Sequence, residues 1–277
     1  MRFPQNWQAT LTDMKAEIIS NLNAECPWLD TLHWYTDIDS TNTQAKRLAK
    51  TGSPHGTVLI AGHQTGGRGR MGRVFQSPKG QGVYLSVILR PNCPPAHLMH
   101  LTCAVGVTMM KAVESVSNVR PQMKWINDLV VDRKKLGGIL TEMSVDKGMV
   151  DYAIVGIGIN CLQQPEDFHP DIAELATSLS LAAGCTIAPA KLAAAMVEAL
   201  WEMDTLLFSQ KTRLMAEYKE NCITLGKDIQ VIRQDAVRSG KAIDLDEDGG
   251  LLVQFEDGAL ETVSSGEVSV RGMFGYL

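Results

Sequence analysis

The sequence has none of the features that mark secreted, disulfide-stapled or membrane-spanning proteins. Its six cysteines include no C-x-x-C pair and no closely spaced even set, so we expect reduced thiols rather than disulfides. The first residues, MRFPQNWQATLTDMK, contain no apolar stretch of the signal-peptide type. No apolar run reaches the roughly 18 residues that a transmembrane helix needs. These absences predict a soluble, cytoplasmic protein.

A surplus of positive charge is also missing, because 26 Lys and Arg stand against 31 Asp and Glu and give a net charge of −5. A protein that binds nucleic acid usually carries a basic face. Before residue 33, apolar spacing predicts one amphipathic helix, carried by Trp7, Leu11, Met14, Ile18 and Leu22. One helix is too few for a DNA-reading unit of three helices. We therefore expect neither nucleic acid nor a membrane as a partner.

The segment GGRGRMGR, residues 66–73, contains a literal G-x-G-x-x-G at Gly67, Gly69 and Gly72. A dinucleotide-binding turn of this spacing needs a strand before it and a helix directly after it. An apolar strand precedes the glycines, but RVFQSPKGQG follows them, with a proline and two glycines where the helix would begin. The segment is therefore predicted to be a loop rather than a dinucleotide-binding turn. Its glycines give it conformational freedom, and its arginines suit a small anionic ligand: Arg68, Arg70 and Arg73.

Strands and helices alternate along most of the chain. Apolar runs predict strands at 57–64, 82–89 and 151–160, and a meander of short strands at 122–128, 129–132 and 135–143. Helical patterns lie at 39–50, 97–116 and 170–220. From about residue 224 the pattern changes to short alternating strands separated by RSGK, EDGG and EDGA, which is typical of a small β-barrel.

This order of elements predicts an α+β protein with two domains. Residues 1–223 would form a mixed β-sheet backed by helices, and residues 1–30 of that domain would be the N-terminal helix and its lead-in. Residues 224–277 would form the small C-terminal β-barrel.

Polar residues that could face a ligand lie where predicted elements begin or end. Ser40, Thr41 and Asn42 begin a helix, and their side chains would point beyond its N-terminus. Thr41 and Gln44 have the spacing of a capping box at that helix start. Gln64 ends a predicted strand and offers both a donor and an acceptor.

A second group of candidates lies in the middle of the chain. Lys135 precedes Gly137 and Gly138 on a predicted strand, which places a positive charge beside a wall without side chains. Asn127 and Asp128 form a polar turn pair in KWIND. Asn160 ends the apolar strand GIGIN, so its amide must find partners if it is buried.

One spacing of histidines and cysteines could suggest zinc: Cys93, His97, His100 and Cys103. Pro94 and Pro95 separate Cys93 from the helix that carries the others, and that helix continues as a core pattern. We therefore expect no protein-bound metal site.

In chain order, S-T-N, G-R-G-R-x-G-R, K-W-x-N-D, K-L-x-G-I-L and G-x-G-I-N resemble the motifs of the biotin protein ligases. The resemblance runs from Asp37 to Asn160 and implies a catalytic domain like that of class II aminoacyl-tRNA synthetases and biotin ligases. The sequence departs from the family pattern at Ile126, where proline is usual, and at Phe75, where tryptophan is common.

The resemblance implies an ATP-dependent reaction. Biotin would be activated to biotinyl-5′-adenylate with Mg²⁺ present and then transferred to a lysine of a biotin carboxyl carrier protein, such as that of acetyl-CoA carboxylase. Lys135 and Arg70 would be catalytic. Biotin would contact Ser40, Thr41, Asn42, Gln64, Arg68, Gly69, Arg70, Lys135, Gly137 and Gly138. ATP and the adenylate would contact Arg70, Arg73, Phe75, Lys124, Asn127, Asp128, Lys135 and Asn160. The protein would be a monomer or a homodimer.

Two other functions compete with this interpretation. A lipoate–protein ligase would share the adenylation chemistry and a related fold, but lipoate has no ureido group for the polar residues to bind. A regulator that binds biotin without catalysis would need a recognition unit, and the predicted elements do not include one.

Overall fold

The computed structural model describes residues 11–233, 236–264 and 268–272, and its largest element is a mixed sheet of seven strands. The strand order is β1-β2-β3-β7-β6-β5-β4. The strands are β1 Leu32–Tyr35, β2 Thr57–Ala61, β3 Gly82–Leu89, β4 Gln122–Lys124, β5 Asp128–Val131, β6 Lys134–Asp146 and β7 Met149–Asn160. β1 and β2 are parallel, and the other neighbouring pairs are antiparallel. The predicted mixed sheet is confirmed.

Helices pack on both faces of this sheet. They are α1 Leu11–Asn21, α2 Thr41–Lys50, α3 Leu101–Ser117, α4 Leu179–Ala183, α5 Pro189–Leu206 and α6 Lys211–Glu220. Buried residues of α3 and α5 form the large core with alternate residues of β3 and β7. α2 packs on the opposite face, where Ala45 and Ala49 form a second cluster with Leu59, Ile88 and Ile154. Because α2 covers only part of that face, the rest of it is available for a site.

Five strands form a second, antiparallel sheet in the order β11-β10-β9-β8-β12. They are β8 Asp228–Arg233, β9 Ala236–Leu245, β10 Leu251–Phe255, β11 Leu260–Val263 and β12 Val268–Gly272. The change to an all-β pattern is therefore confirmed. Within the described residues β11 and β12 lie at opposite edges, so what is seen is a sheet rather than a closed barrel.

The start of α2 corrects one prediction. Ser40 is the N-cap residue: it is extended, and its side chain accepts a hydrogen bond from the Thr43 amide. Thr41 is the first helical residue. The proposed capping box of Thr41 and Gln44 is therefore wrong, because the N-cap is one residue earlier and the Ser40 amide donates to Asp39.

Other boundaries also differ from the predictions. β2 ends at Ala61, and Gln64 pairs only as an isolated bridge with Ile38. The predicted helical stretch 170–220 is wrong over residues 170–178, which form turns and an isolated bridge, and the rest of it is divided into α4, α5 and α6. Gly184 takes a left-handed conformation and ends α4. The first predicted helix begins at Leu11 in the described part of the chain, and Trp7 lies outside the described residues.

The helical stretch Pro95–Ser117 is long and apolar enough to cross a membrane by length and composition, but 72% of its most apolar window is buried inside the protein. It therefore has the burial of a core helix. The six cysteines are free, as predicted, and five of them are buried.

Candidate active site

A cleft of about 550 Å³ opens on the face of the large sheet that carries α2. Most of the predicted site residues line it: Ser40, Thr41, Asn42, Gln64, Arg68, Gly69, Arg70, Arg73, Phe75, Lys124, Asn127, Asp128, Lys135 and Gly138. They come from the start of α2, the loop after β2, and strands β4, β5 and β6. Gly137 and Asn160 are not among the lining residues.

The arginine loop, residues 66–75, is folded as a small hairpin along one side of the cleft. Arg68 and Val74 form a bridge, and the Gly69 amide donates to the Arg73 carbonyl at 2.7 Å. A side chain at Gly67 would overlap the Phe75 carbonyl, so this position requires glycine. A short 3-10 turn, Arg70–Gly72, closes the hairpin, and no α-helix lies between it and β3 in this fully described stretch. The G-x-G-x-x-G spacing therefore does not form a dinucleotide-binding turn.

Two cations are held side by side by the Asn127–Asp128 pair. Arg70 Nη1 donates to Asn127 Oδ1 at 3.1 Å, and Lys135 Nζ donates to Asp128 Oδ1 at 2.6 Å. Burial lowers the pKa of the Arg70 guanidinium, and the nearby Asp128 carboxylate opposes that effect. The guanidinium of Arg70 and the amine of Lys135 offer several hydrogen-bond donors side by side, which makes this end of the cleft suited to an anion.

The main chain fixes Lys135 near the start of β6. Its amide donates to the Leu175 carbonyl at 2.7 Å, and its carbonyl accepts from the Thr177 amide at 2.9 Å. The segment that precedes α4 therefore pairs with β6 as a short parallel bridge at Ala176. This pairing holds the backbone from which the Lys135 side chain reaches Asp128.

Neutral polar groups form the other end of the cleft. Gln64 Oε1 accepts from the Thr41 amide at 2.9 Å, and Gln64 Nε2 donates to Ser77 Oγ at 2.8 Å. These contacts fix which end of the Gln64 amide is oxygen. Ser77 Oγ in turn lies 3.1 Å from the Phe75 carbonyl, which ties this end to the arginine loop.

The floor between the two ends is formed by glycines on neighbouring strands. Gly138 on β6 is opposite Gly158 on β7, and Gly156 is opposite Leu140. Directly opposed residues share a face of the sheet, so Gly138, Gly156 and Gly158 lie together without side chains. Phe75 packs on this floor, because a Cβ at Gly158 would lie 2.5 Å from its ring.

Gly137 does not belong to this floor, which corrects the predicted Gly137–Gly138 wall. Successive residues of a strand face opposite sides, so Gly137 points away from the cleft. A Cβ there would lie 2.5 Å from the Gly158 carbonyl oxygen. Gly137 therefore permits the close approach of β6 and β7 behind the floor.

Asn160 is also placed elsewhere. It is buried, its Nδ2 donates to the Thr177 carbonyl at 3.1 Å, and its Oδ1 accepts from Gln163 Nε2 at 3.1 Å. The expectation that a buried amide finds partners is met, but those partners are structural. In this state the side chain supports the segment that pairs with Lys135 rather than the cleft.

Sequence reasoning missed several lining residues, namely Met71, Val74, Trp125, Ile139, Leu140, Gly156, Ile157, Gly158, Ile172 and Leu175. Gly156 and Gly158 had a usable signal, because two glycines at spacing two on a predicted strand share one face.

The peptide bond between Trp125 and Ile126 is cis, at the position where the sequence lacks the usual proline.

The suspected zinc spacing is dispersed in the fold. His100 is buried and its Nε2 lies 3.0 Å from the Leu207 carbonyl, whereas His97 is exposed. The described residues contain no group of three or more His, Cys, Asp or Glu side chains that could hold a metal ion.

Comparison with known proteins yields two family matches. Residues 34–160 match the biotin/lipoate A/B protein ligase family, and residues 224–271 match the biotin protein ligase C-terminal domain. The bifunctional ligase/repressor BirA of Bacillus subtilis is 33% identical over 243 residues, which cover 84% of this chain and 72% of that protein. The biotin–[acetyl-CoA-carboxylase] ligase of Mycobacterium tuberculosis is 31% identical over 237 residues, which cover 83% of this chain and 85% of that protein.

Solved structures give the same result. The biotin protein ligase from Aquifex aeolicus in complex with biotin and ATP superposes with a TM-score of 0.72 at 29% identity, covering 87% of this chain and 98% of that chain. The biotin protein ligase from Leishmania major in complex with biotinyl-5-AMP superposes with a TM-score of 0.59 at 25% identity, covering 84% and 98%.

Proposed function

The chain belongs to the biotin protein ligase family, and from this premise we propose how the residues of the cleft divide the reaction between them. The family reaction has two steps. A biotin carboxylate oxygen attacks the α-phosphorus of ATP, and the bond to pyrophosphate breaks. A carrier lysine amine then attacks the acyl carbon, loses a proton, and displaces AMP.

The observation that carries the proposal is that Lys135 and Arg70 both line the cleft and are held by the adjacent residues Asp128 and Asn127. The two reactants of the first step are both anions and repel each other. Lys135 Nζ and Arg70 Nη1 are positioned by Asp128 and Asn127, so they are in place before the ligands arrive. Positive groups fixed in advance stabilise the charge that develops on the transferring phosphoryl group. We assign the catalytic role to these two residues.

The neutral end of the cleft suits the biotin ring system. A ureido group has two N–H donors and one carbonyl acceptor, and Thr41 and Gln64 present groups of both kinds. Lipoate has no group that would satisfy them. The thin apolar tail of biotin fits over Gly138, Gly156 and Gly158, which leave room for it. Ser40 Oγ accepts from the Thr43 amide and Asn42 Nδ2 donates to Glu142, so we assign these two residues to fixing the start of α2, where Thr41 lies.

The adenylate end is assigned to Arg73, Phe75, Lys124, Asn127 and Asp128. Asp128 and Asn127 supply the hard oxygen atoms that Mg²⁺ prefers, but Asp128 Oδ1 and Asn127 Oδ1 already accept from Lys135 and Arg70, so the metal that accompanies the nucleotide would be held mainly by the phosphates. When bound, Mg²⁺ would neutralise phosphate charge. We assign the protein contribution at this end to the cations, which bind the phosphates directly.

The wider context of the reaction is also proposed. The acceptor would be a biotin carboxyl carrier protein such as that of acetyl-CoA carboxylase, and the reaction would take place in the cytoplasm. We propose a boundary between residues 223 and 224, with catalysis in the first domain. The net charge of −5 favours a protein acceptor over nucleic acid.

Mass measurement of a carrier domain tests the function. The protein is incubated with biotin, ATP, Mg²⁺ and a carrier domain, and we expect the carrier to gain one biotinyl group. A carrier with its acceptor lysine replaced by arginine is the matched control and should gain none. An unmodified wild-type carrier would contradict the proposed function.

A further inference from the structure

Glu142 on β6 lies beside the cleft, outside every residue set predicted from the sequence. Its Oε1 accepts from Lys46 Nζ at 2.6 Å and lies 3.6 Å from Arg68 Nη2, and its Oε2 accepts from Asn42 Nδ2 at 3.1 Å. Although burial raises the pKa of the Glu142 carboxyl, the hydrogen bonds from Lys46 and Asn42 outweigh it and keep the pKa below its ordinary value. At neutral pH this side chain therefore accepts hydrogen bonds and donates none.

The carboxylate determines how the Asn42 amide is oriented. Glu142 and the Leu140 carbonyl are both acceptors, and they lie 3.1 and 3.3 Å from Asn42 Nδ2. The NH₂ end of Asn42 must therefore face them, which turns its Oδ1 towards Ser86 Oγ at 2.6 Å. The glycine at 156 makes this position possible, because a Cβ there would overlap Asn42 Oδ1.

The chain of hydrogen bonds continues from Asn42 through Ser86 to Thr41, and each donor in it determines the next. Asn42 Oδ1 can only accept, so the single hydroxyl proton of Ser86 goes to it. Ser86 Oγ also lies 2.8 Å from Thr41 Oγ1, and that contact needs a proton from Thr41. The Thr41 hydroxyl can also donate to Gln64 Oε1 at 3.1 Å, which accepts from the Thr41 amide at 2.9 Å as well, so both acceptors for its proton lie within the protein. Thr41 Oγ1 is left as an acceptor at the cleft that it lines.

We propose that Glu142 is a positioning residue that acts through Asn42 and Ser86 to fix the Thr41 hydroxyl as an acceptor for a ureido N–H of biotin. The proposal rests on the proposed function, since it assigns the chemistry of one end of the same site. If Asn42 turned over, its NH₂ would face Ser86 Oγ, the Ser86 proton would go to Thr41 Oγ1 instead, and it would occupy the acceptor that the ureido N–H needs. The polarity of the binding site is thus set by a carboxylate that does not contact the ligand.

Glu142→Gln is the first test, because a glutamine has one acceptor end where Lys46 and Asn42 both need an acceptor. The charged Lys46 ammonium forms the stronger bond and takes the oxygen. The new NH₂ then faces the NH₂ of Asn42, which must turn over. We expect the Kd for biotin, measured by titration calorimetry, to rise about tenfold, the effect of one lost hydrogen bond, while the Kd for ATP is unchanged.

The double variant Lys46→Met/Glu142→Gln is the second test. It distinguishes a change in the direction of the hydrogen bonds from a general disruption of the site. Without Lys46 no cation bonds to the glutamine oxygen, because Arg68 Nη2 lies 3.6 Å from that position and is beyond hydrogen-bond distance. The oxygen is then available to Asn42, and the original orientation returns. We expect the double variant to bind biotin within about twofold of Lys46→Met, which is the matched control. A merely structural role for Glu142 predicts that the double variant binds more weakly than Lys46→Met by the same factor that Glu142→Gln costs alone.

The outcomes are distinguishable. If the wild-type protein does not bind biotin, the proposed function fails and this proposal fails with it. If the wild type binds and Glu142→Gln binds equally well, or if the double variant is not restored, the role of Glu142 is overturned and the proposed function stands. Unfolding midpoints are measured for all variants. Should Glu142→Gln not fold, the comparison of the double variant with Lys46→Met decides the question alone.

Discussion

Gly137 and Gly138 are neighbours with opposite expected behaviour when each is replaced by alanine. A Cβ at Gly138 would lie no closer than 3.5 Å to any other group, the nearest being Asp128 and Lys135. A Cβ at Gly137 would lie 2.5 Å from the Gly158 carbonyl oxygen, which belongs to the backbone and cannot rotate away. Neither position has a left-handed backbone that would strain alanine on its own.

Gly138→Ala should leave the empty protein intact and impair binding. Replacing glycine where alanine fits stabilises a protein by about 0.4–1 kcal/mol through the unfolded chain. The added methyl group stands on the floor where the biotin tail is proposed to lie, and overpacking costs about 1–3 kcal/mol. We therefore expect the Kd for biotin to rise roughly 5- to 150-fold. Gly137→Ala should instead lower the free energy of unfolding by about 1–3 kcal/mol.

The assay combines urea unfolding without ligand and titration calorimetry with biotin. The variants control for each other, because they add the same methyl group at adjacent residues on opposite faces of β6. Wild-type biotin affinity in Gly138→Ala would refute the assignment of the floor as the binding surface. Equal destabilisation by both variants would refute the orientation of the two glycines.

The remaining predictions concern the two cations. Lys135→Ala should fold normally, but its rate of adenylate synthesis should fall about 10²- to 10³-fold, because one fixed charge contact contributes about 2.7–4 kcal/mol in the transition state. The rate is measured in single-turnover assays. Formation of biotinyl-adenylate at a near wild-type rate would exclude the catalytic role. Arg70→Gly removes the bond to Asn127 that joins the arginine loop to the turn before β5, so the variant should form the adenylate more slowly and release what it forms. Free biotinyl-adenylate and biotin on bystander lysines would be detected by mass spectrometry, and full retention of the intermediate would show that the loop does not hold it.

The sequence was sufficient to predict features that depend on local pattern. β3 occupies Gly82–Leu89 as predicted, because a continuous apolar run bounded by glycine and proline has few alternatives. The sequence also distinguishes the arginine loop from a dinucleotide-binding turn, because the residues after the loop cannot begin a helix. The change to an all-β pattern near residue 224 followed from turn residues between alternating strands.

Features that depend on register or on distant contacts could not be predicted in the same way. Whether Gly137 or Gly138 faces the cleft depends on the pairing of β6 with β7, and the sequence alone does not give that register. Asn160 has side-chain donors and acceptors that suit a ligand, but its partners Thr177 and Gln163 use them. The role of Glu142 depends on Asn42, which lies a hundred residues earlier in the sequence and donates to it only in the folded chain.

The most direct test of the account is ATP–pyrophosphate exchange, since it isolates the step assigned to Lys135 and Arg70. Purified protein is incubated with ATP, Mg²⁺ and labelled pyrophosphate, without a carrier, and with biotin, lipoate or no acid. We predict label in ATP when biotin is present and none above background with lipoate or without an acid. Exchange that is supported by lipoate, or that is absent with biotin, would contradict the central claim that this cleft activates biotin.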